Sequence, residues 1–304
     1  HGFGACLADD MGLGKTLQAL ALLATATARR SFASVSPTLG AAGGQRGGEN
    51  RGQTPAGQQA GTVPAAPAAA AAAAPAAPAI VDASAAIPKT GNARFFELHE
   101  KFLARTKSGP IGVLFLGDSI TEGWGKAPHI WDYYFGKYQP ANFGIGGDQT
   151  QHVIWRIENG ELDGINPKAV VLMIGTNNSG THTGEQIADA IKKIISLIRA
   201  KIPGTKVLLL AILPRDARRN NDGLVTDAAI ADAAKRVAAN DRANALIAKF
   251  DDGVNVRFLN TNAIFLGKDG RIPWTIMPDQ LHPNAAGYQL WAEAIEKPLA
   301  ELMK

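Results

Sequence analysis

Residues 91–304 predict an α/β fold, a three-layer α/β/α sandwich around a five-stranded parallel sheet. Two observations carry this. Short, near-continuous apolar runs of strand length alternate with longer runs whose apolar residues recur at helical spacing. Strands without an apolar/polar alternation are those buried on both faces, as in parallel sheets covered by helices.

The elements follow in order. Phe95, Phe96, Leu98, His99, Phe102 and Leu103 recur at helical spacing and predict an opening helix. Apolar runs then predict strands at 111–116, 169–174, 207–213 and 254–259, with a shorter one at 141–143. Between them, amphipathic patterns predict helices at about 127–135, 149–159, 184–201 and 226–249, and a last one at 284–302. In such doubly wound sheets ligands sit beyond the carboxyl ends of the strands, where the winding order reverses.

The first ninety residues have a different composition. Residues 1–30 read as a Gly-rich turn followed by an Ala/Leu helix pattern over 17–28. Residues 31–90 lose periodicity: eight of the twenty-three residues from 40 to 62 are Gly, and 64–79 is twelve Ala and four Pro. So little large apolar surface does not offset the entropy of ordering, so this stretch is expected to be a flexible tether. Ala with recurrent Pro is not a membrane span either. One cysteine, Cys6, excludes an internal disulfide framework and a thiolate metal cluster.

The net charge is +4, split evenly: six Lys/Arg against four Asp/Glu in 1–90, and twenty-five against twenty-three in 91–304. Neither part carries a basic block that would track a phosphate backbone, so nucleic acid is not the expected partner. The densest run, Arg215 to Arg219, is interrupted by Asp216 and reads as a solvated loop rather than an anion site.

Chemistry-bearing residues fall just after the predicted strands. The first strand ends in Gly117-Asp118-Ser119-Ile120-Thr121, where a serine is either a helix N-cap or a hydroxyl facing the crevice. The second leads into Gly144-Ile145-Gly146-Gly147-Asp148, which is either an ordinary tight turn or a loop whose amide approaches a ligand. The third ends in Gly175-Thr176-Asn177-Asn178, whose Asn177 is either a satisfied loop amide or a donor aimed at substrate. Near the C-terminus, Asp279 and His282 stand three apart, and Pro283 suits the first turn of the final helix. One loop can then carry both groups, the carboxylate accepting from Nδ1 while Nε2 points away. A lone pair of this kind is more often a surface ion pair. Here four segments converge on one sheet edge, which favours chemistry.

These blocks resemble the SGNH or GDSL-type esterases and lipases: G-D-S-I-T at 117–121, G-I-G-G-D at 144–148, G-T-N-N at 175–178 and D-Q-L-H at 279–282. The stretch N-F-G-I-G-G-D-Q-T-Q-H-V-I-W-R-I-E-N-G-E-L at 142–162 is similar to the catalytic subunits of platelet-activating-factor acetylhydrolase and their bacterial relatives. The resemblance covers about 91–304. It implies a flavodoxin-like strand order, hydrolysis of short-chain, acetyl-type esters through an acyl-serine, and no cofactor or metal. It also implies Ser119 as nucleophile, Asp279 and His282 as its triad partners, and an oxyanion hole made by the Ser119 and Gly147 N–H groups and the Asn177 side chain. A homodimer is implied too. Ile120 and Asn178 depart from the residues usual at those places, and neither replaces a group in this chemistry. Carbohydrate O-acetyl esterases, lysophospholipases and thioesterases of the same fold are alternative activities.

Two further function classes fit parts of the sequence. Ala8 to Thr16 resembles the nucleotide-binding motif I of Snf2-type helicase ATPases, with Lys15 and Thr16 at the phosphate and magnesium positions. No second acidic motif follows, so an inert fragment or fusion scar is expected; a start at His1 suits truncation. Read instead as a poor secretory signal, 11–28 with the Ala/Pro tether favours a periplasmic or secreted location over the cytoplasm. A non-catalytic binding module with this fold is the remaining alternative. His99, His129, His152 and His182 show no carboxylate at a useful spacing, and Trp124, Trp131, Tyr133, Tyr134 and Trp155 are expected in the core.

Overall fold

Five short segments hydrogen-bond side by side into one parallel sheet in the computed structural model, which describes residues 81–304. The motif-I-like stretch, the secretory-signal reading and the tether up to residue 80 lie outside the described residues. The strands are β1 (Val113–Gly117), β2 (Pro140–Gly144), β3 (Ala169–Met173), β4 (Lys206–Leu210) and β5 (Val256–Leu259). The helices, in chain order, are α1 (Ala93–Lys107), α2 (Ser119–Glu122), α3 (Pro128–Phe135), α4 (Thr150–Arg156), α5 (Gly184–Lys201), α6 (Asp227–Ile247) and α7 (Ala285–Leu302). The strand order is β2-β1-β3-β4-β5, the flavodoxin-like order, and it reverses between β1 and β3.

Residues along each strand alternate between two cores. Leu114, Leu116, Phe143, Val170, Leu172, Val207 and Leu209 face α1, α4, α5 and α6, whose Phe95, Val153, Ile187, Ile191 and Ile247 close that layer. Val113, Phe115, Val171, Met173, Leu208 and Leu210 face the other way, onto Trp124, Ile130, Phe135, Tyr288, Trp291 and Ile295. Both faces are dry along β1, β3 and β4, which is why those strands read as near-continuous apolar runs, whereas the edge strand β5 keeps Arg257 exposed; each fully buried Leu, Ile or Phe contributes about 1.5–3 kcal/mol. Register aligns Gly117 with Gly144 and with Met173, so the carboxyl ends of β2, β1 and β3 finish level on one edge.

Boundaries shift where side chains replace the sheet's hydrogen bonds. The run 207–213 is apolar throughout, yet β4 stops at Leu210. Beyond it, Ile212 N–H donates to Asn244 Oδ1 at 2.8 Å, and Ile212 O accepts from Asn244 and Asn262 at 2.9 and 3.0 Å. The last strand starts at Val256 rather than 254 because Asp252 Oδ1 accepts the N–H groups of Val254, Asn255 and Val256 in a turn. Those bonds hold the Asp252 carboxyl down to about 2.

Residues 81–90 depart from the tether composition predicts for them. Thr150 Oγ1 donates to Ala83 O at 2.8 Å, His182 Nε2 contacts Val81 O at 2.7 Å, Lys193 Nζ donates to Ser84 O at 2.9 Å, and Ile87 N–H reaches Gln151 O at 3.3 Å. The segment lacks a core of its own and is ordered by polar groups of α4 and α5 and of the loop between β3 and α5. Two histidines also find carboxylates. His99 Nδ1 lies 2.7 Å from Glu161, which is sixty-two residues away, and His152 lies 3.8 Å from Asp148. Among the aromatics, Trp124 stacks on Trp291 in the core, whereas Tyr133 is exposed.

Candidate active site

Strand β1 delivers Ser119 to the level edge of the sheet. A serine there is either a cap or a crevice hydroxyl, and the structure gives the cap to its neighbour: Asp118 Oδ1 accepts the Ile120 N–H at 3.0 Å. The serine is thereby released from capping. At Gly117 a side chain would collide with the Met173 carbonyl and with Thr121, so only glycine lets β1 run this close to β3 before the turn. Tyr288 of α7 fixes the far side, its hydroxyl donating to Ile120 O at 2.7 Å.

The loop before α7 presents His282. Ser119 Oγ lies 2.8 Å from His282 Nε2, and His282 Nδ1 lies 2.7 Å from Asp279 Oδ2. The second oxygen, Asp279 Oδ1, accepts the N–H groups of Leu281 and His282 at 3.2 and 2.7 Å. The chain turns left-handed at Gln280, with φ of 58°. Its buried side chain amide donates to Ile272 O and Met277 O at 3.3 and 3.1 Å, which holds that uncommon backbone in place. Asn284, not Pro283, caps α7, and Pro283 stands one residue outside the cap.

Electrostatics follow from these bonds. Burial alone would raise the Asp279 carboxyl, but the hydrogen bonds from the His282 ring and backbone, then the nearby Arg218 guanidinium, hold it well below the usual carboxylate range. A charged carboxylate facing Nδ1 fixes the tautomer with its proton there, leaving Nε2 free to accept from the serine. Asp118 behaves oppositely. Full burial pushes it up to about 7, against the Ile120 N–H, which pulls down, and with the charge of Asp148, which adds to the rise.

The remaining predicted residues lie on the loops that follow β2 and β3 at the same sheet edge. Gly147 has φ of 72°, a conformation that suits glycine, and its N–H has no acceptor among the described residues. A side chain built on the preceding Gly146 would stand 3.9 Å from Ser119 Cβ, so the loop passes close to Ser119. Asn177 Nδ2 donates to Asp148 O at 2.8 Å and lies 3.4 Å from Asp118 Oδ2. Asn178 is wholly structural: it accepts from Thr150 N–H and donates to Thr150 Oγ1 and Gln151 Oε1.

Several supporting residues escaped the sequence reading. Arg218 donates to Asp279 Oδ2 at 2.8 Å, Arg215 reaches Thr176, and Arg219 lies over the Trp274 ring at 3.9 Å, so the run 215–219 is anchored rather than merely solvated. Arg156 is fully buried and binds Phe143 O, Gly117 O and Glu161. Its Nε is 3.0 Å from Asp148 Oδ2, an ion contact whose alignment falls short of a hydrogen bond. The period of α4 marks Arg156 only as a helix residue; its carbonyl partners come from strands that folding alone brings near. A cleft of about 490 Å³ opens on Ser119 and His282, lined also by Arg94, Glu122, Gly123, Gly125 and Lys126. A cavity of about 520 Å³ beside Asp216, Val225 and Trp274 contains neither Ser119 nor His282. No cluster of three His, Cys, Asp or Glu residues suited to a metal occurs among the described residues.

Comparison with known proteins points one way. The profile of the GDSL-like lipase/acylhydrolase family matches residues 115–290. Platelet-activating factor acetylhydrolase IB subunit alpha1 from Bos taurus is 37% identical over 214 residues, covering 70% of this chain and 85% of its own. Subunit alpha2 from Homo sapiens is 35% identical over 224 residues, covering 72% and 90%. Among solved structures, a GDSL-like lipase from Bacteroides thetaiotaomicron matches with a TM-score of 0.51 at 20% identity, over 67% of this chain and 97% of its own, a likeness of fold.

Proposed function

Since the chain belongs to the GDSL-like lipase/acylhydrolase family and is a hydrolase acting on esters, we propose that it cleaves short acyl, acetyl-type esters through an acyl-serine at Ser119. One observation carries the reading: the unbroken chain from Ser119 Oγ through His282 to Asp279, at 2.8 and 2.7 Å. His282 Nε2 takes the hydroxyl proton as Ser119 Oγ bonds to the ester carbonyl carbon, and the Asp279 carboxylate stabilises the imidazolium. The carbonyl oxygen becomes an oxyanion facing the N–H groups of Ser119 and Gly147 and the Asn177 amide. Collapse expels the alcohol, which carries away the proton from Nε2. Water then gives a proton to Nε2 as it bonds to the acyl carbon, and collapse breaks the bond to Ser119 Oγ, which takes that proton from Nε2 as the carboxylic acid leaves.

The short acyl preference draws on two supports. Curated relatives above one-third identity are acetylhydrolases by name. Among the described residues, the cleft at Ser119 is lined by Arg94, Glu122, Lys126, His282 and two glycines, with no long apolar side chain to accept a fatty tail. The test is a chain-length series of aryl esters with a fluorophosphonate label in parallel. Wild-type protein should label at Ser119 and hydrolyse acetate and butyrate esters fastest; Ser119→Ala should do neither. Faster turnover of decanoate than acetate would overturn the acyl preference, and undiminished turnover by Ser119→Ala would overturn the mechanism.

A further inference from the structure

Resting on the serine-esterase reading above, we infer that Lys89, on the segment ahead of the catalytic domain, is a positioning residue that orients the Gly147 N–H of the oxyanion hole. Its Nζ donates to Gly146 O at 2.6 Å and pairs with Asp148 Oδ1 at 2.7 Å, the lysine side chain being 12% exposed and the aspartate fully buried. Gly146 C=O and Gly147 N–H belong to one peptide unit. Because that unit is planar and trans, a grip on the carbonyl fixes the direction of the N–H, which points the opposite way.

The grip matters because of what flanks it. With glycine on both sides, little steric resistance opposes rotation of this peptide plane by about half a turn, which would aim a carbonyl at the place where the oxyanion forms. Two contacts oppose that rotation. Glu122 Oε2 accepts the Gly146 N–H at 2.7 Å, fixing the preceding unit, and Lys89 fixes the unit itself. Glu122 is in turn paired with Arg94. A cation on the carbonyl also polarises the peptide and strengthens its N–H as a donor.

The segment is held well enough to serve. Val81, Ala83, Ser84 and Ile87 bond to His182, Thr150, Lys193 and Gln151, respectively, on the elements that follow Asn177 and Gly147. It therefore straps together the two loops that supply oxyanion donors.

The experiment compares the full chain with Lys89→Met and Lys89→Arg, measuring kcat and KM on an acetate ester, melting temperature, and the Gly147 amide nitrogen shift by NMR. Lys89→Met should lower kcat by about tenfold or more, since losing a whole oxyanion donor costs about a hundredfold to a thousandfold. KM should change less than about twofold, because the ground-state carbonyl leans little on the hole. The Gly147 nitrogen should shift while Gly175 stays, and Lys89→Arg, which keeps donors for both partners, should recover most of the rate. If Lys89→Met melts below the assay temperature, Lys89→Gln, neutral with a shorter donor, carries the same comparison. Unchanged kcat in the folded variant, or lost kcat with an unmoved Gly147 nitrogen, overturns the inference. Both outcomes presuppose an active wild type labelled at Ser119, so a failure of the esterase reading is seen separately.

Discussion

At Asp279 four donors compete for two carboxylate oxygens, and their exposure ranks them. The His282 ring and the Leu281 and His282 N–H groups belong to the same turn, whereas Arg218 approaches with 52% of its side chain exposed. A pair this open to solvent is screened and contributes little. Arg218→Met is therefore expected to keep activity within about threefold, a change steady-state assay resolves. Asp279→Asn puts the wrong group against Nδ1 and spoils the tautomer, and kcat should fall on the order of a thousandfold to ten-thousandfold. An arginine variant as damaged as the asparagine variant would mean that the guanidinium, not the turn, holds the acid in place.

At the scale of elements, α7 couples the site to the second core. Its first turn carries Tyr288, whose buried hydroxyl is donated to Ile120 O, while Trp291 one turn later stacks on Trp124 at 5.3 Å. Tyr288→Phe keeps the ring but removes a donor from a buried carbonyl directly after Ser119, so chemical denaturation should show a loss of about 1–3 kcal/mol. The same logic applies to Gln280, whose amide secures a left-handed backbone between Asp279 and His282. Gln280→Ala should lower both melting temperature and kcat, because the turn that aligns Asp279 with His282 relaxes with it. A variant with a lower melting temperature and an intact kcat would separate the turn's stability from its role in alignment.

For the whole molecule, two carboxyls of the site pull stability in opposite directions with pH. Asp118 is raised from 3.8 to about 7, so the folded state binds the extra proton between those values. Its contribution is full below 3.8 and is lost as pH rises through about 7. Asp279 is depressed, so its contribution is present above 3.8 and lost as pH falls through its lower folded value. Replacing Asp118 by Asn removes only the first effect. Thermal melts of Asp118→Asn should then show a flatter decline between 3.8 and about 7 than wild type, a single proton accounting for at most about 1.4 kcal/mol per pH unit. Parallel declines in the two proteins would show that Asp118 is not the group that titrates.

The amino-acid sequence by itself determined the layer architecture, the alternation of strands and helices, and the residues at the strand ends. The central strands are buried on both faces and the longer helices carry an apolar face that marks their period, so those signals are local; the four-residue α2 leaves no such mark. What only the tertiary structure decided depends on partners far apart in the chain. Asp118 rather than Ser119 takes the cap, Asn244 and Asn262 end β4, Glu161 meets His99, and Arg156 reaches carbonyls of β1 and β2. Residues 81–90 show the limit most clearly: their composition offers no core, and their order is supplied by polar groups of other elements. A hydrogen bond between distant residues leaves no periodicity behind, so it is decided only when the packed layers set the distance.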